Sequence, residues 1–226
     1  MTHPTVTLAV LLASAVSLGA QASRKQMPAR SPFDRGLKVE ITVPATVRST
    51  PVTGRVYFIV ARSGDREPRL QIGRTGTPFF GRDVENLAPG QAAVIDASDL
   101  GTPVASLKDL PPGDYVVQAF VNLYSEFRRA DGHTVWMHDD QWEGQHWNAS
   151  PGNLYSRPQT VRIDQATERI RLSTDQVIGP VIVPAETAFV KRIKIQSPLL
   201  TKFWGRPIYL GATVLLPRDY ETATVK

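Results

Sequence analysis

Leu37, Val39, Ile41 and Val43 alternate with Lys38, Glu40 and Thr42, the period of a strand that turns one face to a core and the other to water. Runs of the same kind recur along the chain. Arg55 to Val60 is apolar after its first residue, Ala92 to Ile95 is short, and Tyr115 to Tyr124 is the longest. Val161 with Ile163, Ile170 with Leu172 and Ile193 with Ile195 each alternate over a few positions. Gly and Pro turn clusters such as Pro89-Gly90 and Pro111-Pro112-Gly113-Asp114 separate many of them. Helical spacing is confined to a turn or two around Leu199 to Phe203, and the 18 Pro and 16 Gly would interrupt anything longer. The pattern predicts an all-β chain, an immunoglobulin-like antiparallel β-sandwich over residues 36–175. Leu110 to Tyr115 has the form of a tyrosine corner, in which a Tyr opening a late strand returns its hydroxyl to the backbone just upstream.

The ends read differently. Val6 to Leu18 is almost unbroken in apolar and small residues, and Ala20-Gln21-Ala22 behind it has the small-x-small form of a signal-peptidase site. Thirteen residues rise only about 20 Å as a helix, too little for a hydrocarbon core of roughly 30 Å. Residues 1–22 are therefore expected to be a signal peptide, giving an exported protein, periplasmic or extracellular, with no membrane span after cleavage. Residues 23–35, rich in Arg, Pro and Ser, are expected to be a flexible lead-in.

Cysteine is absent, so neither disulfides nor thiol chemistry can contribute. The net charge of +5 and isoelectric point near 9.6 raise the question of nucleic acid. Basic residues alternate with acids along the strands, however, as in Lys38 with Glu40 and Arg162 with Asp164, so no nucleic-acid partner is expected.

Candidate chemistry concentrates in one place. Three of the four His (His133, His138, His146) and three of the four Trp (Trp136, Trp142, Trp147) lie between residues 133 and 147, among Asp139, Asp140 and Glu143. Trp136, His138, Trp142, His146 and Trp147 are the candidates for contact with a ligand or a neighbouring domain. Indoles beside acids and amides can stack on sugars, or the same segment can cap one end of a sandwich. His138 and His146 lack the compact paired spacing of a zinc site, so no metal is expected, and no motif calls for a cofactor. Trp136, set in a strand, is expected to be packed. Trp142, ringed by Asp139, Asp140, Gln141 and Glu143, is expected to be the most exposed of the three.

Other catalytic signatures are missing from the sequence. No Ser has a Gly two positions before it, so the Gly-x-Ser-x-Gly nucleophile elbow is absent. Gly73-Arg74-Thr75-Gly76 lacks the Lys-Ser or Lys-Thr of a phosphate-binding loop and reads as a turn. Yet Ile195 to Leu200, and Tyr209 to Tyr220 with its phrase Val214-Leu215-Leu216-Pro217-Arg218-Asp219-Tyr220, resemble the opening of esterases related to esterase D and enterochelin esterase, members of the α/β-hydrolase family. The stretches Gln118 to Trp136, Gln141 to Asn148 and Asn153 to Tyr155 resemble the region that precedes the esterase domain in some exported members. The resemblance implies that residues 176–226 are a linker and the first strands of a hydrolase sheet. It also implies that the chain is a non-catalytic N-terminal accessory region, partnered by an attached or separately encoded esterase domain acting on an ester substrate. With no nucleophile motif, the chain alone is expected to be inactive. The alternative is a free-standing secreted β-sandwich module that grips a carbohydrate or envelope glycan with its Trp-rich loop.

Overall fold

The structure is a computed structural model that describes residues 36–74, 76–139, 146–220 and 222. The expected signal peptide and lead-in lie outside them. The described strands are β1 (Lys38–Thr42), β2 (Val52–Ala61), β3 (Phe79–Leu87), β4 (Ala92–Ile95), β5 (Gly101–Thr102), β6 (Gly113–Arg128), β7 (Thr134–His138), β8 (Leu154–Tyr155), β9 (Gln159–Ile163), β10 (Arg169–Ser173), β11 (Gln176–Val177), β12 (Val190–Gln196) and β13 (Tyr209–Leu215). One α-helix, α1 (Pro198–Trp204), joins the last two strands. The chain is all-β, as the alternating pattern predicts.

Two sheets make the sandwich. The smaller has the order β10-β1-β4, and the larger β11-β8-β6-β2-β3-β5, with β7 and β9 also pairing along β6. Pairing is antiparallel except between β1 and β10. Strand alternation aims Val39 and Ile41 of β1, Ala93 and Ile95 of β4, and Ile170 and Leu172 of β10 at the larger sheet. There they meet Val56, Phe58 and Val60 of β2, Phe80 of β3 and Val117, Ala119 and Val121 of β6, all buried. Burial of the Val, Ile, Leu and Phe side chains among them, about 1.5–3 kcal/mol each, is what holds the layers together. The tyrosine corner is present: buried Tyr115 donates its hydroxyl to the Pro111 carbonyl at 2.5 Å, and the Arg62 guanidinium lies 4.3 Å from the ring centroid.

The Gly73–Gly76 turn lies in the long connection between β2 and β3, where the Gly76 N–H donates to the Gly73 carbonyl. β11 still pairs with β8, so the larger sheet runs to Val177. Beyond it the chain has no strand until β12, which pairs antiparallel with β13 alone among the described residues. The helix between them starts at an N-cap Ser197, whose hydroxyl accepts the Leu200 N–H, with Pro198 in its first turn. It stops at Gly205, which takes the left-handed conformation (φ 64°) that a glycine adopts without penalty. No helix among the described residues is long and apolar enough to cross a membrane.

Candidate functional site

Of the Trp- and His-bearing segment, β7 extends the larger sheet and the residues from His146 onward lie against its outer face. Core-facing and outward-facing residues alternate along β6, so Gln118, Phe120 and Asn122 face away from the core, opposite Ile59, Tyr57 and Arg55 of β2. Such a face would normally be wet. Here Gln118, Phe120 and Asn122 are all buried, because the stretches around Glu67 to Gln71 and His146 to Ser156 lie over them.

Buried polar groups fasten this cover. The Gln118 amide accepts the Arg69 N–H at 2.9 Å and donates to the Glu67 carboxylate at 2.7 Å and the Ser156 carbonyl at 2.8 Å. Arg69 and Asn148 exchange side-chain-to-carbonyl bonds of 2.7 Å in both directions. Against this frame Trp147 stacks on Tyr57 with centroids 4.4 Å apart and rings 24° from parallel, and meets Phe120 edge-on at 5.4 Å. Burial pushes the Tyr57 hydroxyl up to about 12, with the Arg55 guanidinium partly offsetting the rise.

His138 closes a second network. Its Nδ1 lies 3.0 Å from the Asn122 Oδ1, and its Nε2 lies 3.0 Å from the Ser150 hydroxyl. Backbone groups fix the direction of the amide bonds. Asn153 accepts the Leu123 N–H through its Oδ1, so its amide nitrogen is the atom that donates to the Trp147 carbonyl and to the Asn122 Oδ1. Asn122 therefore presents an acceptor to His138, whose Nδ1 carries the hydrogen, while the Ser150 hydroxyl lies 3.0 Å from Nε2 and 3.3 Å from the His146 carbonyl.

Hydroxyl, imidazole and amide stand in the order of a nucleophile, a base and the group that orients it. Two features argue against catalysis. Ser150 is fully buried, and the next residue is Pro151, which has no N–H to give to an oxyanion. The network holds the cover in place.

The sequence candidates thus divide. His138 and Trp147 are built into the outer-face cover, His146 is exposed, and Trp142 lies outside the described residues. Trp136 departs from expectation: it lies in β7, a strand, but is 49% exposed instead of packed. β6 continues past its partner β2, whose pairing ends at Leu123, and β7 pairs only with that overhang, Tyr124 to Arg128. Among the described residues, no second layer covers the Trp136 face of this ribbon. No group of three or more metal-ligating side chains is gathered among the described residues.

The opposite face of the ribbon is covered. Trp204 of α1 packs edge-on against Phe127 at 5.6 Å, and the Arg206 guanidinium lies 4.3 Å from the Phe127 ring centroid. Arg206 also pairs with Asp139 at 3.2 Å, and the Ala130 N–H donates to the Phe203 carbonyl at 2.6 Å. Sequence reasoning missed Gln118, Asn122, Ser150 and Asn153. The first two did leave a signal: amide residues four apart, on one face of an otherwise apolar strand. Comparison of the chain with protein-family models, curated proteins and solved structures finds no match.

Proposed function

We propose that this chain is the exported, non-catalytic accessory region of an esterase-type serine hydrolase, with the sandwich positioning or shielding a hydrolase body whose sheet begins at β12 and β13. The observation that carries the reading is the state of that two-stranded ribbon. Opposite pairs Ile193–Ala212, Ile195–Leu210 and Lys191–Val214 share one face, and Ile193, Ile195 and Leu210 are 44, 60 and 55% exposed. A ribbon with an uncovered apolar face and no further strand paired at either edge, among the described residues, is marginal by itself. It has the form of two strands of a larger sheet. α1 ties it to the β6–β7 ribbon through Phe127, Phe203, Trp204 and Arg206, which supports a positioning role for the sandwich.

The phrase that resembles the esterase family starts inside β13 and ends in the turn closed by the Tyr220 N–H and the Pro217 carbonyl. The test is the coding sequence downstream of Lys226 and in the adjacent genes. The reading expects a Gly-x-Ser-x-Gly elbow followed by an acid and a His. Their absence from every frame there would overturn it.

A further inference from the structure

The β6–β7 ribbon carries, on the face away from α1, a small amphipathic grid. Its register sets Tyr124 opposite His138, Glu126 opposite Trp136 and Arg128 opposite Thr134. Opposite residues of an antiparallel pair share a face, so the Trp136 indole lies at the centre of these six side chains. No ring contact or side-chain hydrogen bond engages Trp136 among the described residues. Glu126 and Arg128 beside it are linked at 2.6 Å, with the Arg128 side chain 81% exposed.

We infer that this face is a saccharide-binding subsite, with Trp136 as the stacking platform for a neutral hexopyranose unit of a glycan chain. A pyranose ring has an apolar C–H face and a rim of hydroxyls, and so asks for one flat aromatic surface bordered by donors and acceptors. Trp136 supplies the surface, while Glu126, Arg128 and Thr134 supply the border. Both elements are strands, so the platform is held by a ladder and not by a loop.

A protein partner fits less well. A stable protein contact buries about 800 Å² per side with an apolar centre. Here one indole is flanked by an ion pair and a Thr hydroxyl, and the exposed Met137 belongs to the other face. The inference stands apart from the hydrolase reading, since it rests on β6 and β7 residues and needs nothing of the β12–β13 ribbon or of a hydrolase body.

The experiment is native affinity electrophoresis of the full chain through gels containing a soluble cellulose ether, a β-1,3-glucan, a neutral xylan or a galactomannan. Retardation in at least one gel is expected. Trp136→Ala should weaken it by about tenfold or more, Trp136→Tyr should keep part of it, and both variants should melt with the parent, because the ring is not packed. Free migration of the parent in all four gels would overturn the inference, and so would retardation unchanged by Trp136→Ala. A Trp136→Ala chain that melts far below the parent would also overturn it, by showing a packed ring. Loss of retardation in Trp142→Ala but not in Trp136→Ala would place any sugar contact elsewhere and sink the proposal equally.

Discussion

Tyr115 and Trp147 each organise more of this molecule than their size suggests. The Tyr115 hydroxyl satisfies the Pro111 carbonyl at the bend before β6, so Tyr115→Phe should cost about 1 kcal/mol, read as a lower midpoint in urea with an unchanged slope. Trp147 is half-buried among Tyr57, Phe79 and Phe120, and Trp147→Ala should cost about 3 kcal/mol. Trp136→Ala should lie within about 0.5 kcal/mol of the parent. A reversed order in thermal melts would contradict the placement of the two rings.

Tyr57 adds a pH signature. Its hydroxyl is raised from 10.0 to about 12 by burial, so the unfolded chain loses this proton first as pH climbs. The folded state then binds more protons than the unfolded one, and stability falls with rising pH. The contribution is intact below pH 10 and is lost between 10 and about 12. Tyr57→Phe should flatten that alkaline fall and remove the last step of the tyrosinate absorbance titration. An unaltered titration would show that Tyr57 ionises as an exposed phenol does.

At the scale of elements, the strands are legible in the sequence and their extents are not. Period-two alternation locates β1, β4 and β10, because each has one face on the core. The apolar run Tyr115 to Tyr124 is the middle of β6, which reaches from Gly113 to Arg128, since its last residues are held by β7 pairing and not by apolar content. For the same reason the pattern misleads at Trp136: being in a strand implies burial only when a second layer covers that face. The outer-face cover is illegible because it is assembled from segments far apart in the chain, joined by bonds such as Arg69 to Asn148.

Gly54 shows a constraint that pattern reading overlooks. A Cβ there would overlap the Asn122 carbonyl oxygen of β6, at the point where β2 shifts register against β3. Gly54→Ala should therefore destabilise by about 1–3 kcal/mol, and a neutral result in denaturant titration would mean the strands part more easily than the structure implies. By the same reasoning, amides of β12 and β13 should exchange with solvent well before those of β6, which lies among β2, β8 and β9. Equal protection would mean that the ribbon is stable without further strands.

For the whole molecule, the proposed role makes the sandwich a support, with the chemistry left to a hydrolase body. Among the described residues, the arrangement nearest to a nucleophile and base is Ser150 with His138, and burial together with Pro151 removes it from use. Hydrolysis of short acyl nitrophenyl esters by the purified 226-residue chain and by its Ser150→Ala variant tests this claim most directly. No turnover above buffer is expected for either protein, whereas turnover that co-purifies with the chain and disappears in Ser150→Ala would contradict a non-catalytic role.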